Sequence, residues 1–458
     1  MRVVLGKKVS IALVSIFVPF MAKAQDAQPP IEVTLEKAIE IALSENPTVK
    51  VADWEIQRVD YSKKSAWYNI LPSLDVSAQY AKYLAPATMS LAGMVIKLPT
   101  DFNANANLQL SLPLFVPALW QSIKMTTLDM QLAVEKAHAS KITLRNDVTK
   151  AYYNVLLAQD SYKTLQSGLT LAEEVYQQAK NRFEHGISPE FDVISAEVQM
   201  KSLQPSILEV ENGIEQSKML LKILMGLKIT QPITVSGNLI DYENNLDDTN
   251  SLQNLAVTGN TDLRQIDIQQ KQLERALAIQ RTQRMPTLAA FGTYIYAGTG
   301  NKAGYSFFTQ QYSPASTAWF SQGLLVGLQL NVPLTGIYTN VAKEKQTKIQ
   351  INQMAMQRDY LKESLDLQVR TALNNMDKAA KQAEVAKSNE ELAQKGYDIA
   401  LKRYDTGMGT ILELQNASLS LTQAQLSHRQ AIASYLNANS DLDKLLGNDP
   451  ESINDNKK

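Results

Sequence analysis

The chain has 458 residues, and among them are no cysteine, three histidines and only 7% aromatic residues. The absence of cysteine excludes a disulfide scaffold, a thiolate metal site and a cysteine nucleophile. The histidines, His138, His185 and His428, are isolated and lack metal-ligand spacing. No phosphate-binding glycine loop occurs either. The sequence therefore predicts a protein that is not an enzyme and that has no cofactor and no metal site.

The chain also lacks a charge excess and a long apolar segment. Its 45 basic and 46 acidic residues leave a formal charge of −1, which gives no reason to expect nucleic acid as a partner. After the first 24 residues, no stretch of about 20 uninterrupted apolar residues could cross a membrane as a helix. Residues 1–24 combine a basic leader, an apolar run from Val9 to Phe20 and the small-x-small site Ala22-Lys23-Ala24. We interpret them as a cleavable signal peptide, with an uncleaved anchor as the alternative.

Proline is missing from two long stretches, Ala118–Ser188 and Leu334–Asp449. Apolar residues recur there at helical spacing, which predicts a helix from Ala118 to Phe183 of roughly 100 Å at 1.5 Å per residue. Such a rod must pair with other rods. The shorter predicted helices, Pro47–Asn69 and Glu190–Gly226, together nearly match its length, so they could stack end to end beside it. Pro205 predicts a bend in the second of them.

One turn motif occurs twice, about 220 residues apart, as RFEHGISPEFD from Arg182 and RYDTGMGTILE from Arg403. Each copy has a glycine at the fifth place and a carboxylate at the eleventh. Further matches between the two halves are Asn46 with Asn260, Leu71-Pro72 with Met285-Pro286, Pro113-Leu114 with Pro333-Leu334, and Gly226 with Gly447. The chain is thus an internal duplication, and each half contains a helix, a hairpin, a very long helix, a turn and a helix.

The two turns predict sharp reversals between antiparallel helices. Gly186 and Gly407 can take the left-handed conformation that ends a helix. Ser188-Pro189-Glu190 predicts a helix start with serine at the N-cap, and Thr410 with Glu413 predicts a capping box. The segment from Lys228 to about Asn250 is rich in Asn, Asp and Gly, and we expect it to join the halves as irregular structure.

The predicted hairpins begin at Ser73 and Thr287 and alternate with period two, with an apolar and a polar face. The apolar positions of the clearest strand are Phe102, Ala104, Ala106, Leu108, Leu110, Leu112 and Leu114, and the polar ones are Asn103, Asn105, Asn107, Gln109 and Ser111. Strands of about 10 to 12 residues with aromatics at both ends are typical of a transmembrane β-barrel. The alternative is a soluble sandwich. Four strands cannot close a barrel, whereas three copies give twelve strands and an open lumen, so we expect a homotrimer.

The duplicated architecture and both turns resemble the outer membrane efflux protein family of TolC-like channel-tunnels, over essentially the whole chain after the signal peptide. The resemblance implies a mainly α fold with a small β part, in which four strands per chain contribute to a trimeric 12-stranded transmembrane β-barrel continued by a long helical α-barrel. It implies a passive exit duct of a tripartite efflux or type I secretion system, in outer-membrane lipid with the helices in the periplasm. Its partners would be a periplasmic adaptor (membrane fusion protein) and an inner-membrane RND or ABC transporter. The alternative is a periplasmic coiled-coil scaffold or adaptor that does not span the outer membrane.

The resemblance also implies that the two turns are the periplasmic tips of the tunnel, and it assigns roles to residues there. Asp192 and Glu413 match carboxylates that line and gate the periplasmic mouth, with the alternative that they only cap helices. Tyr404 matches a tyrosine of the family's gate network, whereas Asn416 replaces a second acid and Gly409 replaces a latch arginine. The gate or selectivity residues expected here are Arg182, Asp192, Arg403, Tyr404, Glu413 and Asn416. The adaptor-contact residues expected are Gly186, Ile187, Ser188, Gly407, Met408 and Gly409.

The predicted organisation follows the duplication. The first half is expected to comprise the signal peptide (1–24), an equatorial segment around the middle of the tunnel with the first short helix (25–70), the first hairpin (71–115), and the long helix, tip and short helix of repeat 1 (116–227). The second half is expected to comprise the equatorial linker and start of repeat 2 (228–284), the second hairpin (285–335), and the long helix, tip and short helix of repeat 2 (336–447). A polar tail (448–458) follows.

Overall fold

The computed structural model describes residues 30–85, 88–91, 94–97, 100–245, 259–301, 304–306, 311–313, 317–334 and 337–447. The predicted signal peptide and the polar tail lie outside these residues. The first half contains β1 (Ile31–Val33), α1 (Leu35–Glu45), α2 (Pro47–Tyr68), β2 (Ser73–Lys82), β3 (Thr88–Leu91), β4 (Met94–Lys97), β5 (Thr100–Phe115), α3 (Pro117–Glu184) and α4 (Glu190–Leu224). After these come β6 (Ile233–Val235), a 3₁₀ helix (Leu239–Asn245), α5 (Thr261–Thr282), β7 (Thr287–Asn301), β8 (Gly304–Ser306), β9 (Gln311–Ser313), β10 (Thr317–Asn331), α6 (Ile337–Asp405) and α7 (Ile411–Leu446).

The two predicted rods are confirmed. Helix α3 has 68 residues and α6 has 69, each several times the length of an ordinary globular helix. Helices α2 and α4 both pack along α3, while α5 and α7 pack along α6, and α3 also contacts α5 and α7. Helix α4 runs without interruption through Pro205. The bend predicted at that proline stays a prediction.

Two asparagines join the stacked short helices. Asn46 caps the start of α2, where its Oδ1 accepts the Thr48 amide at 2.7 Å, and its Nδ2 donates to the Leu224 carbonyl at the end of α4, also at 2.7 Å. Asn260 repeats the arrangement between α7 and α5, with a distance of 2.9 Å from its Nδ2 to the Leu445 carbonyl. Both asparagines are buried. Each side chain therefore satisfies the backbone groups of two helix ends at once.

The hairpins form one four-stranded antiparallel sheet in the order β2, β5, β7, β10. Its register confirms the predicted faces, because Leu74, Val76 and Ala78 pair with Leu110, Leu108 and Ala106. On the other side of β5, Leu110 pairs with Gly292, which in turn pairs with Val326 on β10. The strands have 10 to 16 residues, so three exceed the predicted length. Two short hairpins lie between the paired long strands in the chain, β3–β4 between β2 and β5, and β8–β9 between β7 and β10.

The linker between the halves is more ordered than expected. Strand β6 pairs in parallel with β1, and the 3₁₀ helix follows four residues later. The prediction of irregular structure from Lys228 to about Asn250 was therefore wrong for β6 and for the 3₁₀ helix. A three-residue strand depends on its partner near the chain start, and the local composition carries no signal for such distant pairing.

The buried apolar residues of the helical part form two clusters. The larger one surrounds β1, α1 and β6 and contains Val148, Tyr152 and Leu156 of α3 together with Ile432 and Tyr435 of α7. The smaller one lies near the tips and includes Val175, Ala196, Tyr397, Tyr404 and Leu414. The tips are thus held by a core of their own, separate from the core around the linker.

Candidate functional site

The two tip turns have the same backbone geometry. At the first tip the Gly186 amide donates to the Phe183 carbonyl and the Ile187 amide to the Arg182 carbonyl, each at 2.8 Å. At the second, Gly407 and Met408 donate to Tyr404 and Arg403 at 3.1 and 2.9 Å. This pair of bonds defines the Schellman ending of a helix. The glycines have φ of 69° and 74°, which confirms the predicted left-handed conformation.

The helices that leave the tips begin differently. Thr410 caps α7, and its hydroxyl accepts the Glu413 amide at 3.2 Å, as the capping box predicts. The Glu413 carboxylate lies 3.4 Å from the Arg403 guanidinium of the same tip. The N-cap prediction for Ser188 was wrong, because α4 begins one residue later, with Pro189 at the cap position and no side-chain cap. The Ser188 hydroxyl oxygen is buried, and no described residue forms a hydrogen bond with it.

Arg182 and Arg403 occupy equivalent places but make different contacts. Arg403 stays within its own tip, where it also donates to the Met408 carbonyl at 3.3 Å. Arg182 reaches across to the other hairpin, where its guanidinium lies 4.5 Å from the centre of the Tyr404 ring and donates to the Asp405 carbonyl at 2.7 Å. Arg182 therefore connects hairpin α3–α4 to hairpin α6–α7 by a cation–π contact and a charge-assisted hydrogen bond.

Tyr404 lies at the centre of this connection, with 2% of its surface exposed. Burial raises the pKa of its hydroxyl, Arg182 lowers it, and the carboxylates of Asp192 and Asp405 raise it. The hydroxyl has no hydrogen-bond partner among the described residues. The structure thus brings three of the predicted residues, Arg182, Asp192 and Tyr404, into one electrostatic environment.

Four further residues link the hairpins and were not predicted from the sequence. Gln178 donates to the Asp405 carboxylate, and the Ser195 hydroxyl donates to Gln415 at 3.0 Å. Asp405 is the acid at the third place of the second tip motif, so a signal for it was present in the repeat. The other three lie on helix faces that carry no distinguishing pattern.

The remaining predicted residues lie on the outside of the tips. Ile187 and Met408 project at the ends, and about 70% of each surface is exposed (71% and 72%). Gly409 packs closely on its own tip, since a Cβ there would lie 3.0 Å from the Arg403 Cβ. Asn416 is exposed on α7, and Asp192 is half-buried in the first turn of α4. The tips therefore present an apolar end surface, with two carboxylates set back from it in different surroundings.

Two further findings concern metal binding and membrane-spanning helices among the described residues. They contain no group of three or more His, Asp or Glu side chains placed to hold a metal ion. None of the helices among them is both long and apolar enough to cross a membrane. The tips are therefore the ends of two helical hairpins, which contact each other through polar and charged side chains.

A family model, "Outer membrane efflux protein", matches residues 38–227 and 252–448. The two matched ranges correspond to the two halves of the duplication and together cover most of the chain. A sequence relative, "Outer membrane protein TolC" of Vibrio cholerae, is 22% identical over 276 residues. That alignment covers 57% of this chain and 61% of the relative, so it spans about three fifths of the relative's length.

The fold is similar to that of several solved outer-membrane channels. The Campylobacter jejuni CmeC outer membrane channel is 18% identical with a TM-score of 0.69, and the match covers 93% of this chain and 89% of CmeC. The outer membrane protein VceC of Vibrio cholerae is 14% identical with a TM-score of 0.69, covering 90% and 96%. The open state of the Neisseria gonorrhoeae MtrE channel is 19% identical with a TM-score of 0.68, covering 90% and 88%.

Proposed function

The chain belongs to the outer membrane efflux protein family, whose members are passive outer-membrane channels and not enzymes, and we propose that three copies of it form an exit duct across the outer membrane. In this proposal the sheet of each copy contributes four strands to a 12-stranded barrel, and the helices continue the bore through the periplasm. The signal peptide directs export. The observation that carries the proposal is the four-stranded sheet, which has an apolar face against which none of the described helices packs.

The sheet supports closure by pairing between copies. Its outer strands, β2 and β10, each pair on one side only. On the apolar face, side chains such as Leu74, Val76, Leu324 and Val326 are exposed in the protomer, with Val76 at 75%. In lipid an open edge would leave backbone groups unpaired, so β2 of one copy must pair with β10 of the next. The polar face, with Asn103, Asn105 and Asn107, then lines the lumen.

The helices support the same ring. Helices α2 and α4 lie at one side of the protomer and α6 lies at the other, because α6 contacts α5 and α7 whereas α2 and α4 pack on α3. Both sides carry exposed apolar residues at heptad-like spacing. They are Val51, Trp54, Tyr61 and Tyr68 on α2, Phe191, Ile194 and Val198 on α4, and Ile349, Met356, Leu367, Val385, Leu392 and Ile399 on α6. Such uncovered stripes mark interaction surfaces, and a head-to-tail ring buries both of them.

The tips form the periplasmic mouth of the proposed duct. Three-fold symmetry multiplies Asp192 and Glu413 into rings of carboxylates, which favour cations. The exposed tips around Gly186-Ile187-Ser188 and Gly407-Met408-Gly409 provide the contact surface for a periplasmic adaptor, which connects the duct to an inner-membrane RND or ABC transporter. The duct has no energy source of its own, so it serves the efflux or type I secretion system that its pump defines.

Fractionation and planar-bilayer recording test the proposal. We expect the protein to stay with the outer membrane in high salt, to need detergent for extraction, and to form cation-preferring pores as a trimer. The variant Asp192→Asn/Glu413→Gln should have a weaker cation preference and a higher conductance. A salt-released, water-soluble monomer without pores would contradict the duct, whereas unchanged selectivity in the double variant would contradict only the ring assignment.

A further inference from the structure

A set of ionisable side chains lies between the two apolar clusters at the level of hairpin α6–α7. On α7 the tip cluster ends at Leu421 and the linker cluster begins at Ile432. His428 lies between them, and only 4% of its surface is exposed. His428 is thus a buried imidazole at the boundary between the two cores.

His428 lies between two carboxylates from different elements. Its Nδ1 is 2.6 Å from the Glu390 carboxylate on α6, so Nδ1 carries the proton of the neutral ring. Its Nε2 lies 3.7 Å from the Glu243 carboxylate on the 3₁₀ helix and has no hydrogen-bond partner in the part of the chain that the structure describes. In the neutral ring this buried nitrogen presents a lone pair to a carboxylate. Protonation converts it into a donor that faces an acceptor.

The surrounding charges come from every element packed around His428. Lys387 of α6 lies 2.9 Å from Glu243, and Arg429 of α7 lies 3.4 Å from Glu390. On α3, Asp160 and Lys163 line a small cavity together with Arg429. Asp160 also accepts the Leu239 amide at the start of the 3₁₀ helix, at 3.0 Å. The linker is therefore held to both hairpins at this level by charged groups.

The first repeat has no such group. The positions equivalent to Glu390 and His428 are Leu169 and Ile207, and Ile207 is buried. Those equivalent to Lys387 and Arg429 are Gln166 and Leu208. Among the described residues, hairpin α6–α7 contacts the linker through a histidine, whereas hairpin α3–α4 contacts it through Asp160, although both hairpins descend from one unit.

We propose that His428 is a proton-responsive tether between hairpin α6–α7 and the 3₁₀ helix of the linker. The inference rests on the proposed duct, and it adds that the described conformation is the closed one, from which the second tip moves when the mouth opens. When the imidazole is charged, it binds Glu390 and Glu243 together and holds the hairpin in the conformation described here. When it is neutral, the contact with Glu243 is lost and the hairpin is freer to swing outward. Mild acid therefore favours the closed duct.

Planar-bilayer recordings at about pH 8 and about pH 5.5 test the tether, because ordinary imidazoles change charge in this interval while ordinary carboxyl groups stay ionised. We expect the conductance of the wild-type trimer to fall about tenfold in the acid buffer, since a hydrogen bond to a charged group contributes this much. The variant His428→Gln, which keeps a donor toward Glu390 and cannot be charged, should lose the dependence on pH.

Glu243→Gln provides a second variant, because it leaves the bond between His428 and Glu390 in place and removes the charge that faces Nε2, together with the ion pair to Lys387. The change in its conductance between the two pH values should be at least threefold smaller than that of the wild type. A full wild-type response in His428→Gln or Glu243→Gln, or a wild-type conductance that ignores pH, would overturn the tether and leave the duct intact. A wild-type protein without pores at either pH would overturn the duct and the tether together.

Discussion

At the two tips the backbone conformation, and not the local packing, requires glycine. A Cβ at Gly407 would meet no atom within 4 Å, yet φ is 74°. We expect Gly407→Ala to cost roughly 1–2 kcal/mol of folding free energy, because a side chain disfavours the left-handed region. The control is Gly396→Ala in α6, where an added Cβ also meets nothing. That change should stabilise the helix by roughly 0.5–1 kcal/mol. Thermal denaturation of the detergent-solubilised protein should give shifts of opposite sign.

Arg182 offers a test of how the hairpins are coupled. Arg182→Met keeps much of the packing over Tyr404 but removes the charge and the donor to the Asp405 carbonyl. We expect the mouth to open more easily by roughly 1–2 kcal/mol, so that conductance rises by about tenfold. Arg403→Met is the matched control, because the polar contacts described for Arg403 lie within its own tip. If both variants conduct alike, the contact across the hairpins does not hold the mouth.

At the scale of the elements, Asn46 and Asn260 each join the ends of two helices, and we call these contacts the asparagine joints. They can be tested by replacing the side-chain amide with a carboxylate. Asn46→Asp keeps the acceptor for the Thr48 amide but places a carboxylate against the Leu224 carbonyl, where a donor is needed. We expect a loss of roughly 1–3 kcal/mol, since a buried acceptor loses its partner and faces a negative charge. Asn374→Asp, at an exposed position of α6, is the control and should be nearly neutral. Equal losses in urea denaturation would show that Asn46 contributes nothing specific.

The tyrosines around the linker predict how stability depends on alkaline pH. Burial raises the pKa of Tyr153 to about 12, and Tyr242 contributes to the shift. A tyrosine with a raised pKa in the folded state stabilises the protein fully below the unfolded value of about 10, and this contribution is lost as the pH rises from about 10 to 12. We expect Tyr153→Phe to weaken that loss. Tyr61→Phe, at a residue with 69% exposure, should leave it unchanged in thermal melts.

Much of this element structure was predictable from the sequence. The missing prolines and the period of 3.6 locate the rods to within one or two residues at α3, and the period of two assigns the sheet faces correctly. The joints were not predicted, although Asn46 and Asn260 aligned, because a side chain that closes two helix ends depends on which ends meet. The different contacts of Arg182 and Arg403 could not be predicted either. Their motifs are alike, and the difference arises from which hairpin lies opposite each tip.

For the whole molecule, the proposed barrel predicts that the polar face of the sheet tolerates an added charge and that the apolar face does not. Val76 and Ser77 are neighbours on β2, exposed in the protomer and on opposite faces. In the proposed barrel Val76 faces lipid and Ser77 faces the lumen. We expect Val76→Arg to cost about 2–4 kcal/mol and to reduce the trimer recovered from outer membranes. Ser77→Arg should assemble normally. Equal recovery of both variants would count against a barrel wall.

The two asparagine joints also constrain how such a duct can change in length. Each rod is matched by a pair of shorter helices whose meeting point is fixed by one side chain, and this arrangement occurs in both halves of the chain. An insertion of one turn into α3 alone would pull Leu224 away from Asn46 and leave both helix ends unsatisfied. A deeper periplasm could therefore be spanned only by coordinated insertions into a rod and its stacked partner, made in each half. The reach of the duct should accordingly vary between relatives in whole helical turns, with both halves growing together.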